Sequence, residues 1–354
     1  MLSVIRNALK IAGFTSLGLL SSAGLGENRA TDSYLDRPEL QRFIKEAVQK
    51  HGFSEATLKR YFSKVKPRPD IIRLITRPAE DMPWYKYRKL FMSKDRVKKG
   101  VAFWRTHEDL IARAQKTYGV PGEIIVAIVG IETFYGERAG TIPILESITT
   151  LALDFPRRSA FFRNELLEFL LLTREQGLDP TILKGSYAGA MGVPQFISSS
   201  YRKYAVDFNG DGKIDLFNST ADVVGSVANY FKKFGWAPGQ RVIIRARVKG
   251  EKYKELGEKP PLNPEKTISA LRALDIYPKE PLRTDELNQR AALIVLKRPA
   301  WHEYWLGLNN FYVISRYNHS THYSMAVYEL SQQLLKERSR SQNRRIRKAK
   351  SKNP

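Results

Sequence analysis

Between Pro121 and Gly136 the chain is almost continuously apolar and ends on a single carboxylate, Glu132. Pro121 suits a first helical turn, and Ile125, Ile128 and Val129 lie seven, four and three residues before Glu132, so the spacing predicts a helix on which all four share a face. Before it, residues 31–118 carry helical periodicity in segments such as 39–50 and 106–116, broken at Pro67, Pro69, Pro78 and Pro83. The helical texture continues over 119–236, with an amphipathic run at 161–172 and a Gly-rich elbow at 185–192. After Trp236 the period shortens: residues 240–248, 291–296 and 301–306 read as strands, giving a small β-rich insert at 237–306. A return helix follows at about 311–336, within a last body segment at 307–335. The expected class is mainly α (α+β), with no internal repeat.

With 354 residues, 42% of them hydrophobic, the chain can bury the core of one large or two modest domains. Lys and Arg number 59 against 36 acids, a net +23 that points to an anionic partner: nucleic acid, a membrane surface or an acidic wall polymer. Part of the excess is local, since residues 336–354 hold nine Lys or Arg and one Glu, a net +8. This basic tail reads as a solvated, disordered extension, or more sharply as a nucleic-acid arm or membrane-surface anchor. Residues 1–28 have the layout of an export signal, with Arg6 and Lys10, a short apolar run at 11–20 and small residues before Glu27. An uncleaved anchor is the alternative. The chain has no Cys, which excludes disulfides, thiol chemistry and an N-terminal lipidated Cys.

A carboxylate pressed against Ile side chains loses hydration, which raises its pKa toward the range a general acid needs near neutral pH. The plain alternative is a helix-end Glu that reaches solvent. The pair Phe134-Tyr135 followed by Gly136 suggests a helix that stops at a cleft lined with sugar-stacking rings.

Two further segments stand out. In 207–218, Asp207, Asn209, Asp211 and Asp215 occupy positions one, three, five and nine, with Gly212 at six and Ile214 at eight, which matches the calcium loop of an EF-hand. Lys213 falls at the seventh ligand position, Asn218 replaces the usual Glu at twelve, and Asp222 lies four residues on as a further donor. An Asx-rich turn without metal is the alternative. The elbow Gly185-Ser186-Tyr187-Ala188-Gly189-Ala190-Met191-Gly192-Val193-Pro194-Gln195-Phe196 sets two hydrogen-bonding side chains, Ser186 and Gln195, among small residues that permit close approach. By itself it could equally be a packed turn.

Together with Pro83-Trp84-Tyr85-Lys86-Tyr87, Gly100-Val101-Ala102-Phe103-Trp104, residues 225–231 and Arg316-Tyr317-Asn318-His319-Ser320, these motifs resemble those of the lytic murein transglycosylases of the membrane-bound B type, over about residues 83–335. The resemblance implies a lysozyme-like catalytic core at 119–236 beside an N-terminal helical region. It also implies cleavage between N-acetylmuramic acid and N-acetylglucosamine of peptidoglycan, with a 1,6-anhydromuramoyl product. In that family the residue matching Glu132 acts as acid and then as base, without a second carboxylate.

By the same resemblance Ser186, Gln195, Tyr230, Tyr317 and Asn318 line the sugar subsites, with Tyr87 and the pair Arg157-Arg158 near the glycan or its peptide stem. Calcium is structural there, and no cofactor serves the chemistry. The missing Cys departs from the lipid-anchored type and implies a soluble or tail-tethered periplasmic relative. A hydrolytic muramidase would need a second carboxylate, for which Asp154 or Glu137 could be put forward. A non-catalytic wall-binding protein is a rival of another class. His319 and His322, three apart without a third ligand, read as a cleft edge rather than a metal pair.

Overall fold

The computed structural model describes residues 33–76 and 82–350, with side chains described through residue 342. The export-signal reading of 1–28 and the break at Pro78 lie outside the described residues. The chain divides into two compact units, one of residues 33–76 and 139–203, the other of residues 82–138 and 204–350. This division cuts across the expected region 119–236. Among the described residues no helix is long and apolar enough to cross a membrane.

The first unit is built of helices Pro38–His51, Glu55–Phe62, Pro69–Ile75, Ile144–Asp154 and Ser159–Glu175. Its first helix is delimited as the sequence dictates, by Pro at the start and by Gly52 at φ 66° closing the end, its amide N–H donating to the Val48 carbonyl. Ile71, Leu151, Phe162 and Tyr187 form a buried cluster. A two-residue antiparallel pair, β1 (Ile142–Pro143) with β2 (Lys184–Gly185), ties the start of the elbow to the chain ahead of the Ile144–Asp154 helix.

In the second unit the Gly122–Thr133 helix is central. It packs against helices Lys94–Thr106, Glu108–Tyr118, Thr220–Lys233 and Thr321–Lys350. Because every residue from Ile124 to Thr133 is buried, the apolar pattern runs right round the helix rather than along one stripe. Each buried Ile or Val there contributes about 1.5–3 kcal/mol. The β-rich part is one antiparallel sheet in the order β4-β6-β7-β3-β5, with β3 Ile243–Val248, β4 Lys266–Thr267, β5 Ile276–Pro278, β6 Arg290–Lys297 and β7 His302–Gly307. Ile244 pairs with Leu306 and Ile294 with Trp305.

Two expectations need correction. The single return helix is two helices, Asn309–Tyr317 and Thr321–Lys350, because Asn318 leaves helical geometry at φ −146°, ψ 123°. The second continues through the stretch expected to be a disordered tail, as far as Lys350. Its packed first turns nucleate a helix that Lys, Arg, Gln and Ala propagate at little cost.

Candidate active site

Glu132 stands in the last turn of the Gly122–Thr133 helix and is only 4% exposed. The Tyr323 hydroxyl, from a residue 191 positions away, donates to its Oε1 at 2.6 Å. Tyr323 is fully buried, and the Tyr317 ring lies nearly parallel to it, 6.4 Å away at 9°. Tyr230 joins the group, 4.9 Å from the Tyr317 ring, and its hydroxyl donates to the Arg316 carbonyl at 2.6 Å. Burial first, and then the charge of Glu132, pushes the Tyr317 and Tyr323 phenols well above their ordinary range. Tyr323 therefore stays a proton donor to the carboxylate at neutral pH.

The turn after the helix is strained. Phe134 at φ 54° and Tyr135 at φ 65° are consecutive left-handed residues, followed by Gly136 at φ 94°; for a non-glycine residue this conformation costs about 1–3 kcal/mol. It swings the Tyr135 ring back between two helices whose glycines make room. A Cβ on Gly100 would lie 2.2 Å from the Tyr135 hydroxyl, and one on Gly130 2.6 Å from its ring. The aromatic pair thus does not line a sugar-stacking cleft as expected: the backbone reversal turns Tyr135 inward, and Phe134 is 6% exposed. Buried Arg96 completes the turn. It donates to the Gly130 carbonyl at 2.6 Å and stands 4.9 Å from the Phe134 ring, while burial lowers its pKa to about 10. A cation at a helix C-terminus satisfies carbonyls the helix cannot.

In the first unit Ser186 and Gln195 are both buried within the elbow. The Ser186 Oγ accepts the amides of Ala188 and Ala190 at 3.2 and 3.0 Å. Gln195, itself at φ 54°, donates to the Ala139 and Gly192 carbonyls at 3.0 and 2.9 Å. Gly140 is required here, since a Cβ would sit 2.1 Å from the Gly185 carbonyl oxygen. Arg157 and Arg158 are exposed on a short helical turn of the same unit, with the Arg158 guanidinium 4.0 Å from the Phe161 ring.

The remaining candidates fall in place around the second unit's interior. Tyr87 is fully buried and contacts His322, whose ring also meets Trp84. Helix packing encloses Tyr87, Tyr230 and Tyr317. Asn318 occupies the break between the last two helices. Both candidates for a hydrolase's second carboxylate are engaged elsewhere: Asp154 accepts from Tyr34 and Arg37, and Glu137 pairs with Lys99 at 2.7 Å.

The 207–218 loop curls around Asp207, whose carboxylate accepts the amides of Gly210, Asp211 and Gly212 at 2.7, 3.2 and 2.8 Å. The Gly212 amide foremost holds that carboxyl below its usual range. Gly210 and Gly212, at φ 79° and 84°, permit the turn. Among the described residues no three His, Cys, Asp or Glu side chains converge as a metal set. The side-chain donors Asp207, Asn209 and Asp211, with the Lys213 main-chain oxygen, are nevertheless the hard oxygens calcium takes, and as a donor set they fit it. Fully buried Asp222 accepts the amides of Phe208 and Asp215, both at 2.8 Å, and braces the loop, while Asn218 donates to Asp215 at 3.0 Å.

Tyr323, Arg96 and the Tyr135 wedge were not singled out from the sequence. The available signals were Gly100 and Gly130 inside helices, where glycine is costly without a packing reason.

Residues 36–332 match the transglycosylase SLT domain family. The chain is 44% identical over 313 residues to the membrane-bound lytic murein transglycosylase B of Escherichia coli strain K12, covering 84% of this chain and 83% of that protein. It superposes on the Escherichia coli lytic transglycosylase Slt35 in complex with calcium at a TM-score of 0.79, with 41% identity over 89% of this chain and 100% of that one. Pseudomonas aeruginosa SltB3 in complex with NAG-anhNAM-pentapeptide is similar at a TM-score of 0.70, with 30% identity over 83% of this chain and 79% of that one. A buried helix-end carboxylate on this fold thus has its context: the chain belongs to the transglycosylase SLT domain family and is a lytic transglycosylase with a lysozyme-like fold.

Proposed function

We propose that the enzyme cleaves peptidoglycan between N-acetylmuramic acid and N-acetylglucosamine with Glu132 as its one catalytic carboxylate, leaving a 1,6-anhydromuramoyl end. Burial disfavours the charged carboxylate, so the acid form is at hand to protonate the glycosidic oxygen as the C1–O bond breaks. The resulting carboxylate, steadied by the Tyr323 hydroxyl, then accepts the proton of the muramoyl C6 hydroxyl. The C6 oxygen closes on C1, and the proton is back on Glu132 without water entering. A glycosidase that activates water needs a second carboxylate, whereas a substrate supplying its own nucleophile does not.

One observation carries this reading: Glu132 is buried beside a phenol donor, while Asp154 and Glu137 are held by other partners. The anhydro ligand bound by SltB3 supports the product.

In this reading Ser186 and Gln195 shape the elbow backbone that meets the sugar, and Arg157 and Arg158 contact the peptide stem. Tyr230, Tyr317 and Asn318 border the sugar subsites next to Glu132, and Tyr87 lies near the glycan or its stem. Calcium at Asp207, Asn209, Asp211 and the Lys213 carbonyl would cross-link the loop without touching the reaction. The site of action is the periplasm, where the basic C-terminal segment meets anionic wall or membrane.

Glu132→Gln is the test. Turnover of isolated murein is expected to fall at least ~10³-fold with glycan binding retained; undiminished turnover would remove Glu132 from the chemistry.

A further inference from the structure

The second unit holds a cavity of about 690 Å³ at the opposite end of the central helix from Glu132. Pro121, Glu123 and Ile124 of the helix start form one side, β3 and β7 another, and Tyr328 and Gln332 of the last helix a third. Glu123 precedes Glu132 by nine residues, about 13 Å along the axis at 1.5 Å per residue. The cavity is therefore separate from the catalytic carboxylate.

Its aromatic residues are walls rather than platforms. Trp236 and Trp305 are 6% and 8% exposed, and the Arg245 guanidinium lies 4.5 Å from the Trp305 ring. Neither indole offers an open ring face to a stacking sugar. Polar capacity remains, because the Trp236 indole N–H is buried without an acceptor, whereas that of Trp305 donates to Glu303 at 3.0 Å.

The charges around the cavity are of both signs and unevenly matched. Arg241 pairs with Glu280 and Glu286, and Arg245 reaches Glu303. Among the described residues Glu123 and Lys279 form no ion pair, although both line the cavity. Burial raises the Glu123 carboxyl above its usual range, and a bound cation would reverse that penalty.

We propose that this cavity is a second binding site, for a short zwitterionic peptide whose ammonium pairs with Glu123 and whose carboxylate pairs with Lys279 against the Trp236, Trp305 and Tyr328 wall. Where the substrate is murein, as proposed above, the ligand is its peptide stem, whose N-terminal amine is amide-bonded to the muramoyl group, so that the ammonium and carboxylate are those of a free diaminopimelate side chain. The site then grips a strand by its stem while Glu132 acts on the glycan.

The probe is the tripeptide N-acetyl-alanyl-γ-glutamyl-diaminopimelate, titrated calorimetrically into the full chain at low ionic strength. Saturable one-site binding is expected, weakened at least ~10-fold in Glu123→Gln and in Lys279→Ala, with the thermal midpoints of both variants confirming that they fold. Digestion of peptide-free glycan strands is expected to proceed equally in wild type and both variants. Absence of saturable binding, or equal affinity in all three proteins, would overturn the proposal. Digestion of peptide-free glycan by the wild type in the same preparation separates that result from a failure of the catalytic reading.

Discussion

Two carboxylates are buried to nearly the same degree, one in each unit: Glu132 at 4% exposure and Glu165 at 3%. Their partners differ. Glu165 accepts the Ser199 amide at 3.0 Å and the Ser199 hydroxyl at 2.6 Å, at the start of the Ser198–Tyr204 helix. That is a structural role, in which an anion satisfies amides at a helix N-terminus. Glu132 accepts instead from a phenol that burial keeps protonated, in a chain segment 191 residues away. Burial alone therefore does not mark a catalyst, since it raises the carboxyl pKa of Glu165, whose role is to hold a helix start. The distinguishing feature is the set of groups that surrounds the carboxylate.

The sharpest way to break the contrast is Tyr323→Phe. Removing the hydroxyl that steadies the carboxylate is expected to lower kcat on murein by about 10–100-fold with KM little changed, and to displace the pH–rate profile, whereas Glu165→Gln leaves turnover within about twofold. Full activity in Tyr323→Phe would erase the difference between the two carboxylates.

A smaller effect concerns stability. The folded-state pKa of Glu165 is raised, chiefly by burial, so the native state holds a proton that the unfolded chain releases above the ordinary carboxyl value of 4.5. Stability from this group is thus lost as pH rises from the ordinary value through the raised one. Urea unfolding between about pH 4 and pH 7 is expected to show this decline in the wild type and its removal in Glu165→Gln. Identical pH dependence in the two proteins would mean that Glu165 ionises as it does in the unfolded chain.

The smallest effect lies at the surface. At Asp207 the loop amides, that of Gly212 foremost, outweigh desolvation and hold the carboxyl below its usual range. Millimolar calcium is expected to raise the thermal midpoint by about 2–4 °C in the wild type and not in Asp207→Ala. An equal response in both proteins would detach calcium from this loop.

Much of the fold was legible because its signals are local. The apolar run into Glu132, the alternation after Trp236 and the Pro and Gly punctuation of Pro38–His51 each depend on neighbours in sequence. The break at Asn318 was not legible, since Asn318 alone interrupts an otherwise helical pattern. The tail was misread because a dense positive charge suggests solvation, while the same Lys and Arg residues extend a helix already nucleated by packing.

At the site, Glu132 was legible from periodicity. The Tyr323 contact spans most of the chain, and the inward turn of Tyr135 depends on room left by two glycines in separate helices. Ser186 and Gln195 were found by residue type, but the structure engages both in folding the elbow.

The central claim is that one carboxylate suffices because the muramoyl C6 hydroxyl, not water, attacks C1. The mass spectrum of muropeptides released from isolated murein tests this most directly. Products lighter by one water than the corresponding reducing sugars are expected from the first turnovers onward; a digest dominated by reducing muramic acid ends would contradict it.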